Sequence, residues 1–129
     1  MRVGFDAWSR GSLDESLAVM DPAIEWHIAF RLPDLPPDLR VVRGHDEVRD
    51  LWLAFRDAWE ELTLEPEEIL HEHEGLIMAR VRFRGRGAES GVEVDRTLYY
   101  VLELRDGLLA RIRPFDELGA AREAAGLEP

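Results

Sequence analysis

Apolar and polar residues alternate along several stretches of the chain, and this pattern is typical of a strand with one buried face. The first such stretch reads "AIEWHIAF" and predicts a strand from Ala23 to Phe30. Its apolar face would consist of Ile24, Trp26, Ile28 and Phe30. His27 would lie on the opposite face, because successive strand residues point to opposite sides.

The second half of the chain predicts four more strands in antiparallel order. They run from about Thr63 to His73, then through "LIMARVRFR", "VEVDRTLYYVLEL" and "LLARIRPF". Glu74-Gly75 and Arg105-Asp106-Gly107 have the composition of tight hairpin turns, and "GRGAESG" that of a flexible hairpin tip. One face of the strand "VEVDRTLYYVLEL" would carry Val92, Val94, Arg96, Leu98, Tyr100, Leu102 and Leu104.

A helical spacing of apolar residues separates the first strand from the others. From Gly44 onwards these residues recur three and four positions apart: Val48, Leu51, Trp52, Phe55, Ala58, Trp59 and Leu62. This pattern predicts one long helix, whose aromatic stripe needs a broad partner such as a curved sheet. Shorter helices are predicted around Phe5 and Trp8, from Ser12 to Asp21-Pro22, and from Glu117 to Ala125.

The segment "RLPDLPPDLRVVRG" contains three prolines and is predicted to be a loop. A loop of this length in a small domain is either a lid over a site or a plain surface connection. The sequence leaves both alternatives open.

Composition narrows the possible partners. The 129 residues carry a net charge of −11, which argues against nucleic acid and anionic membranes. All 16 basic residues are arginines, so Schiff-base chemistry through a lysine is excluded. There is no cysteine and no apolar run of about 20 residues, and we therefore expect a cytoplasmic protein that does not span a membrane.

The order of elements is α+β and resembles the nuclear transport factor 2-like fold, a cone in which a curved antiparallel sheet wraps a long helix. Four segments are similar to the SnoaL-like group within that fold: "AWSRGSLDESLAVMDPAIEWH", "RGHDEVRDLW", "RGRGAESGVEVD" and "LELRDGLLARIRPFDELGAAREAAGL". The resemblance implies one domain over residues 1–129. It also implies a cavity for a small, largely apolar molecule, and a homodimer formed through the outer sheet face at Thr97, Tyr99 and Val101.

The ketosteroid isomerases of this fold suggest candidate catalytic residues. Their proton-transferring aspartate corresponds to His27, and their proton-donating acid falls near Tyr100. Arg96, on the same strand face as Tyr100, would help to stabilise an oxyanion. Their second oxyanion donor falls near Gly4 or Phe5, where no hydroxyl is present. A structural role, with the hydrogen bonds of each side chain satisfied, is the alternative for all three residues.

Other polar residues leave alternatives open. SnoaL-type cyclases use one carboxylate, for which Asp95 and Asp116 are both possible. Arg96 needs a partner, which could be Glu25, Asp95 or an anionic ligand. The residues predicted to line the substrate cavity are Trp26, Trp52, Phe55 and Asp95.

Two further patterns have plain explanations. "HEHE", His71 to Glu74, offers two imidazoles but no further metal ligand, so no metal site is predicted. Arg80, Arg82 and Arg84 form either an anion-binding stripe or a solvated face paired with glutamates. No cofactor-binding motif is present.

The leading hypothesis is therefore a SnoaL-like protein that binds a small apolar molecule and that could act as a cofactor-free isomerase, cyclase or dehydratase by proton transfer. The alternative is a non-catalytic ligand-binding or dimeric association module.

Overall fold

The computed structural model describes residues 13–28 and 40–127. Three helices and six strands follow one another along these residues. In chain order they are α1 (Leu13–Ala18), β1 (Met20–His27), β2 (Val41–Arg43), α2 (Gly44–Ala58), β3 (Trp59–His73), β4 (Leu76–Gly87), β5 (Glu93–Arg105), β6 (Leu108–Phe115) and α3 (Leu118–Ala124).

The six strands form one curved sheet in the order β2-β1-β6-β5-β4-β3. All neighbouring strands are antiparallel except β1 and β6, which are parallel. A meander of β3 to β6 therefore makes up most of the sheet, and β1 returns beside β6. The predicted α+β architecture is confirmed, with one parallel pair that the sequence did not predict.

The core lies between α2 and one face of the sheet, which we call the inner face. Val48 and Leu51 of α2 are fully buried there against strand residues such as Ile24, Val81 and Leu98, all at 0% exposure. The first turn of α2 is held by Glu47, whose carboxylate accepts the backbone N–H of Arg43 at 3.0 Å. The apolar stripe of the helix thus has the broad partner that its width requires.

The opposite, outer face of the sheet is partly covered by α3. Ala121 of this helix packs on Met78 and Val101, and each of these three residues is at most 1% exposed. Arg113 extends from β6 and donates from Nη2 to the carbonyl oxygen of Ala124 at 3.2 Å. The expectation that Val101 forms part of a dimer surface is wrong, because a helix of the same chain already covers it.

The boundary between α2 and β3 differs from the prediction. The helix ends at Ala58, and Trp59 has extended backbone angles (φ −130°, ψ 138°). Trp59 and Leu62 therefore belong to β3 rather than to the helical stripe, although both still pack against the core. The three- and four-residue spacing of apolar residues continues past the end of the helix into β3, which is why the sequence predicts too long a helix.

Other boundaries are close to those predicted. Strand β1 begins at Met20 rather than Ala23, and Val41–Arg43 of the proline-containing segment forms the short strand β2. The turns at Glu74-Gly75 and Asp106-Gly107 are confirmed, with positive φ at all four residues. The predicted helix around Phe5 and Trp8, the cap at Ser12, Phe30 and most of the possible lid lie outside the described residues.

Candidate functional site

An aromatic cleft lies where α2 ends and β3 begins. Its volume is about 390 Å³, which is within the usual range of small-molecule sites. The residues that line it are Trp52, Phe55, Arg56, Trp59, Glu60, Glu61 and Leu62. Apolar side chains form its wall, and the three charged residues bring polar groups to it.

A β-bulge in β3 builds the wall of this cleft. Trp59 and Leu62 are three residues apart, so in a regular strand they would point to opposite faces. The register with β4 shifts between Glu60 and Thr63, and Glu61 has a positive φ of 55°. This extra residue brings both side chains to the inner face.

Gly85 of β4 provides the space that these side chains occupy. A Cβ atom at Gly85 would lie 3.3 Å from Trp59 Cε3 and 3.4 Å from Leu62 Cδ1. The Trp59 ring also packs edge-to-face on Phe83, with 5.3 Å between ring centroids. The position of Trp59 is thus fixed from two sides.

Two indole groups of the cleft have unused hydrogen-bonding capacity. The Nε1 atoms of Trp52 and Trp59 are buried, and neither has a hydrogen-bond partner in the described part of the chain. Leaving a buried donor unsatisfied costs about 1–3 kcal/mol. The face of the Trp52 ring is engaged by the Arg56 guanidinium, whose central carbon lies 5.1 Å from the ring centroid.

A second polar group lies elsewhere on the inner face. Arg96 and Tyr100 share this face of β5, and Arg96 forms an ion pair with Asp116, which follows β6. The sequence left Glu25, Asp95 or an anionic ligand open as the partner of Arg96, and the structure pairs Arg96 with a different carboxylate, that of Asp116. Tyr100 is 4% exposed, and this burial raises the pKa of its hydroxyl well above the ordinary value.

His27 is not brought together with Tyr100 and Arg96. It follows Trp26, which packs in the core, so its side chain extends from the outer face. There its Nε2 lies 3.0 Å from Oε1 of Glu25. His27 thus lies on the opposite sheet face from Tyr100 and Arg96, and the catalytic role of each residue stays a prediction.

The predicted substrate-binding residues are also separated. Trp52 and Phe55 line the aromatic cleft, whereas Trp26 is 6% exposed within the core. Asp95 lies on the outer face, where both of its oxygens accept hydrogen bonds from Arg82 at 2.8 and 2.7 Å. These bonds hold the pKa of Asp95 below its usual value. Asp95 borders a different, charged cleft of about 360 Å³.

The outer face of β3, β4 and β5 carries cross-strand ion pairs. Arg80 pairs with Glu67 and Glu68, Arg82 with Asp95, and Arg84 with Glu65. The interpretation of these arginines as a face paired with acidic residues is therefore confirmed. Among residues 13–28 and 40–127 we find no group of three or more potential metal ligands, and no helix long and apolar enough to cross a bilayer.

Sequence reasoning identifies two of the seven cleft residues, Trp52 and Phe55, and misses the other five. It assigns Trp59 and Leu62 to the helix, and it gives no role to Arg56, Glu60 and Glu61. The one available signal was the "WEEL" segment itself, in which two apolar residues flank two glutamates. That spacing fits a helix and a bulged strand equally well.

Several solved structures share this fold. The chain matches a nuclear transport factor 2-like protein of unknown function from Burkholderia pseudomallei with a TM-score of 0.76 and 21% identity, over 95% of this chain and 91% of that one. A candidate polyketide cyclase from Sinorhizobium meliloti matches with a TM-score of 0.68 and 21% identity, over 87% and 89%. TerC, co-crystallised with polyporic acid, matches with a TM-score of 0.75 and 14% identity, over 96% and 93%.

These similarities confirm the predicted fold, but identities this low do not carry over an activity. No curated protein shows significant similarity to the chain. The family model of the SnoaL-like domain matches residues 2–112, which is most of the sequence. The chain belongs to the SnoaL-like domain family.

Proposed function

We propose that this protein binds a small, largely apolar molecule in the aromatic cleft between the end of α2 and β3. The apolar body of the ligand would lie against Trp52, Phe55 and Trp59. The observation that carries this proposal is the pair of buried indole N–H groups that have no partner among residues 13–28 and 40–127, at a cleft of ligand size.

The chemistry of the wall defines the kind of ligand. Aromatic side chains offer a large contact area at a low cost in side-chain entropy. An acceptor oxygen on the ligand would satisfy an indole donor after a small side-chain movement, so that binding recovers part of the cost of the unsatisfied group. The structural relative TerC is crystallised with polyporic acid, which is consistent with a ligand-binding use of this fold.

A calorimetric titration with 2-phenylethanol tests this proposal. We expect Trp52→Phe to weaken binding about fivefold, because the variant keeps an apolar wall and loses one donor worth about 1 kcal/mol. Trp26→Phe is the matched control, since Trp26 is a core tryptophan that does not line the cleft. Equal affinities of wild type and Trp52→Phe, or an absence of binding to the wild type, would reject the proposal.

Proton-transfer catalysis is the second candidate function. It is favoured by one observation: Arg96, which shares a face of β5 with Tyr100, is ion-paired with the carboxylate of Asp116. In this version Asp116 takes the place proposed for His27 and removes a proton next to a carbonyl group. Tyr100 and Arg96 would then stabilise the enolate oxygen.

Exchange of α-protons of 1-phenylpropan-2-one in D₂O, followed by NMR, tests the second candidate. Asp116→Asn should slow protein-catalysed exchange about a hundredfold, the usual contribution of a general base. His27→Ala should leave the exchange rate unchanged, since His27 lies on the outer face. If His27→Ala slows the exchange and Asp116→Asn does not, His27 is the base. If the wild type does not accelerate the exchange at all, the catalytic function is rejected.

A further inference from the structure

Glu61 has a backbone conformation that glutamate rarely adopts. Its φ is 55°, in the left-handed region, where a side chain with a Cβ atom costs about 1–2 kcal/mol. Residues held in such conformations cluster at functional sites, and the surrounding structure has to enforce them.

The two other described non-glycine residues with positive φ have a simple explanation. Glu74 and Asp106 each precede a glycine in a two-residue hairpin turn, which requires positive φ at both positions. Glu61 instead lies inside β3, at the bulge that builds the cleft wall. A glycine at position 61 would form the same bulge without strain. The need for a bulge therefore does not explain why this position carries a glutamate.

The carboxylate of Glu61 is available to a ligand. Among the described residues its nearest cation is Arg86, whose Nη2 forms an ion pair with Glu61 Oε1 at 3.6 Å but is too distant for a hydrogen bond. Arg86 donates instead to Glu60, from Nε at 3.2 Å. Two carboxylates thus share one guanidinium, and Glu61, whose side chain is 80% exposed, keeps its acceptor capacity at the rim of the cleft.

We propose that Glu61 is the selectivity-determining residue of the cleft. Its carboxylate accepts a hydrogen bond from an N–H or O–H group at the polar end of the ligand, while the apolar body lies on the Trp52 and Trp59 wall. The ligand class is therefore a small apolar molecule that ends in a hydroxyl or an amine, of which only the hydroxyl also offers an acceptor oxygen to an indole N–H. This inference rests on the proposed use of the cleft as a ligand site.

Three probes of equal size separate the contributions: propylbenzene, 2-phenylethanol and 2-phenylethylamine. They differ only in their last group, which is a methyl, a hydroxyl or an ammonium. We expect Glu61→Gly to weaken binding of the alcohol and the amine about threefold, because solvent screens a hydrogen bond to a carboxylate this exposed, and to leave propylbenzene unaffected. Glycine suits a φ of 55°, so this variant retains the bulge.

Glu61→Gln distinguishes the two kinds of donor. The amide oxygen still accepts a hydrogen bond from either group but no longer carries the negative charge that attracts an ammonium, so we expect a larger loss for the amine than for the alcohol. Glu65→Gln is the matched control, because it removes the same charge from the same strand without lining the cleft.

The outcomes separate this inference from the proposed function. If the wild type binds the probes and Glu61→Gly changes all three affinities equally or not at all, the role of Glu61 is wrong and the cleft remains a ligand site. If the wild type binds none of the three probes, the proposed function fails and this inference fails with it.

Discussion

Tyr100 illustrates how the core constrains a single polar group. Its side chain is 4% exposed, and burial raises the pKa of its hydroxyl well above the ordinary value of 10.0. The folded protein therefore holds this proton at a pH at which the unfolded chain has released it.

This difference has a defined sign. Above pH 10.0 the unfolded state binds fewer protons than the folded state, so the free energy of unfolding falls as the pH rises. One such group contributes a slope of at most about 1.4 kcal/mol per pH unit. Tyr100→Phe should make the decline between about pH 10 and pH 11 shallower than in the wild type.

Urea unfolding of the wild type and Tyr100→Phe over this pH range measures the effect. The reference is pH 8, at which Tyr100 is protonated in both the folded and the unfolded state. Identical slopes for wild type and Tyr100→Phe would show that the hydroxyl ionises without cost in the folded protein.

Individual residues of the candidate site were predictable only in part. The alternation in "AIEWHIAF" correctly placed His27 opposite Trp26, yet resemblance to the isomerases suggested a shared site with Tyr100. Alternation predicts which face of the sheet a side chain occupies. It does not predict that Arg96 pairs with Asp116, which lies 20 residues further along the chain. Such pairings follow from tertiary structure and have no local signal.

At the scale of elements, the junction of β3 and β4 determines the shape of the cleft. Gly85 leaves room for Trp59 and Leu62. A methyl group added at Gly85 would lie closer to Trp59 than an ordinary van der Waals contact allows. The Trp59 ring would have to move by a few tenths of an ångström within a packed region.

We therefore expect Gly85→Ala to lower the free energy of unfolding by about 1 kcal/mol and to alter the near-UV circular dichroism of the tryptophans. Gly119→Ala is the matched control. Gly119 lies in α3 with open space around it, and there alanine should stabilise by about 0.5–1 kcal/mol. Equal effects of the two substitutions would contradict the proposed close packing at Gly85.

The elements themselves were largely predictable. Periodicity predicted α2 and the four later strands, because each buries a continuous face. It failed at Trp59–Leu62, where the helical spacing and the bulged strand give the same pattern of apolar residues. It also missed β2, since three residues within a proline-containing segment are too few to show alternation.

At the scale of the whole molecule, the two sheet faces have different roles. The inner face packs on α2 and ends in the aromatic cleft, whereas the outer face carries alternating charges beside the apolar patch that α3 covers. Neighbouring strands place Arg43, Glu25, Arg111 and Glu103 in one row across β2, β1, β6 and β5. The Arg111 guanidinium donates to Glu103 and lowers the pKa of that carboxyl.

This division affects where a second copy of the chain could associate. Val101 is covered by α3, and the outer face of β4 is occupied by arginines paired with carboxylates. A homodimer through the outer face, which stays a prediction, would therefore use polar rather than apolar contacts, and its stability would depend on salt concentration.

The central claim is that the aromatic cleft is the ligand site, and NMR of the tryptophan side chains tests it most directly. In ¹H–¹⁵N spectra recorded during a titration with 2-phenylethanol, the indole N–H signals of Trp52 and Trp59 should shift and saturate together, while that of Trp26 stays in place. Saturable shifts confined to Trp26, or no shift of any indole signal, would contradict the account.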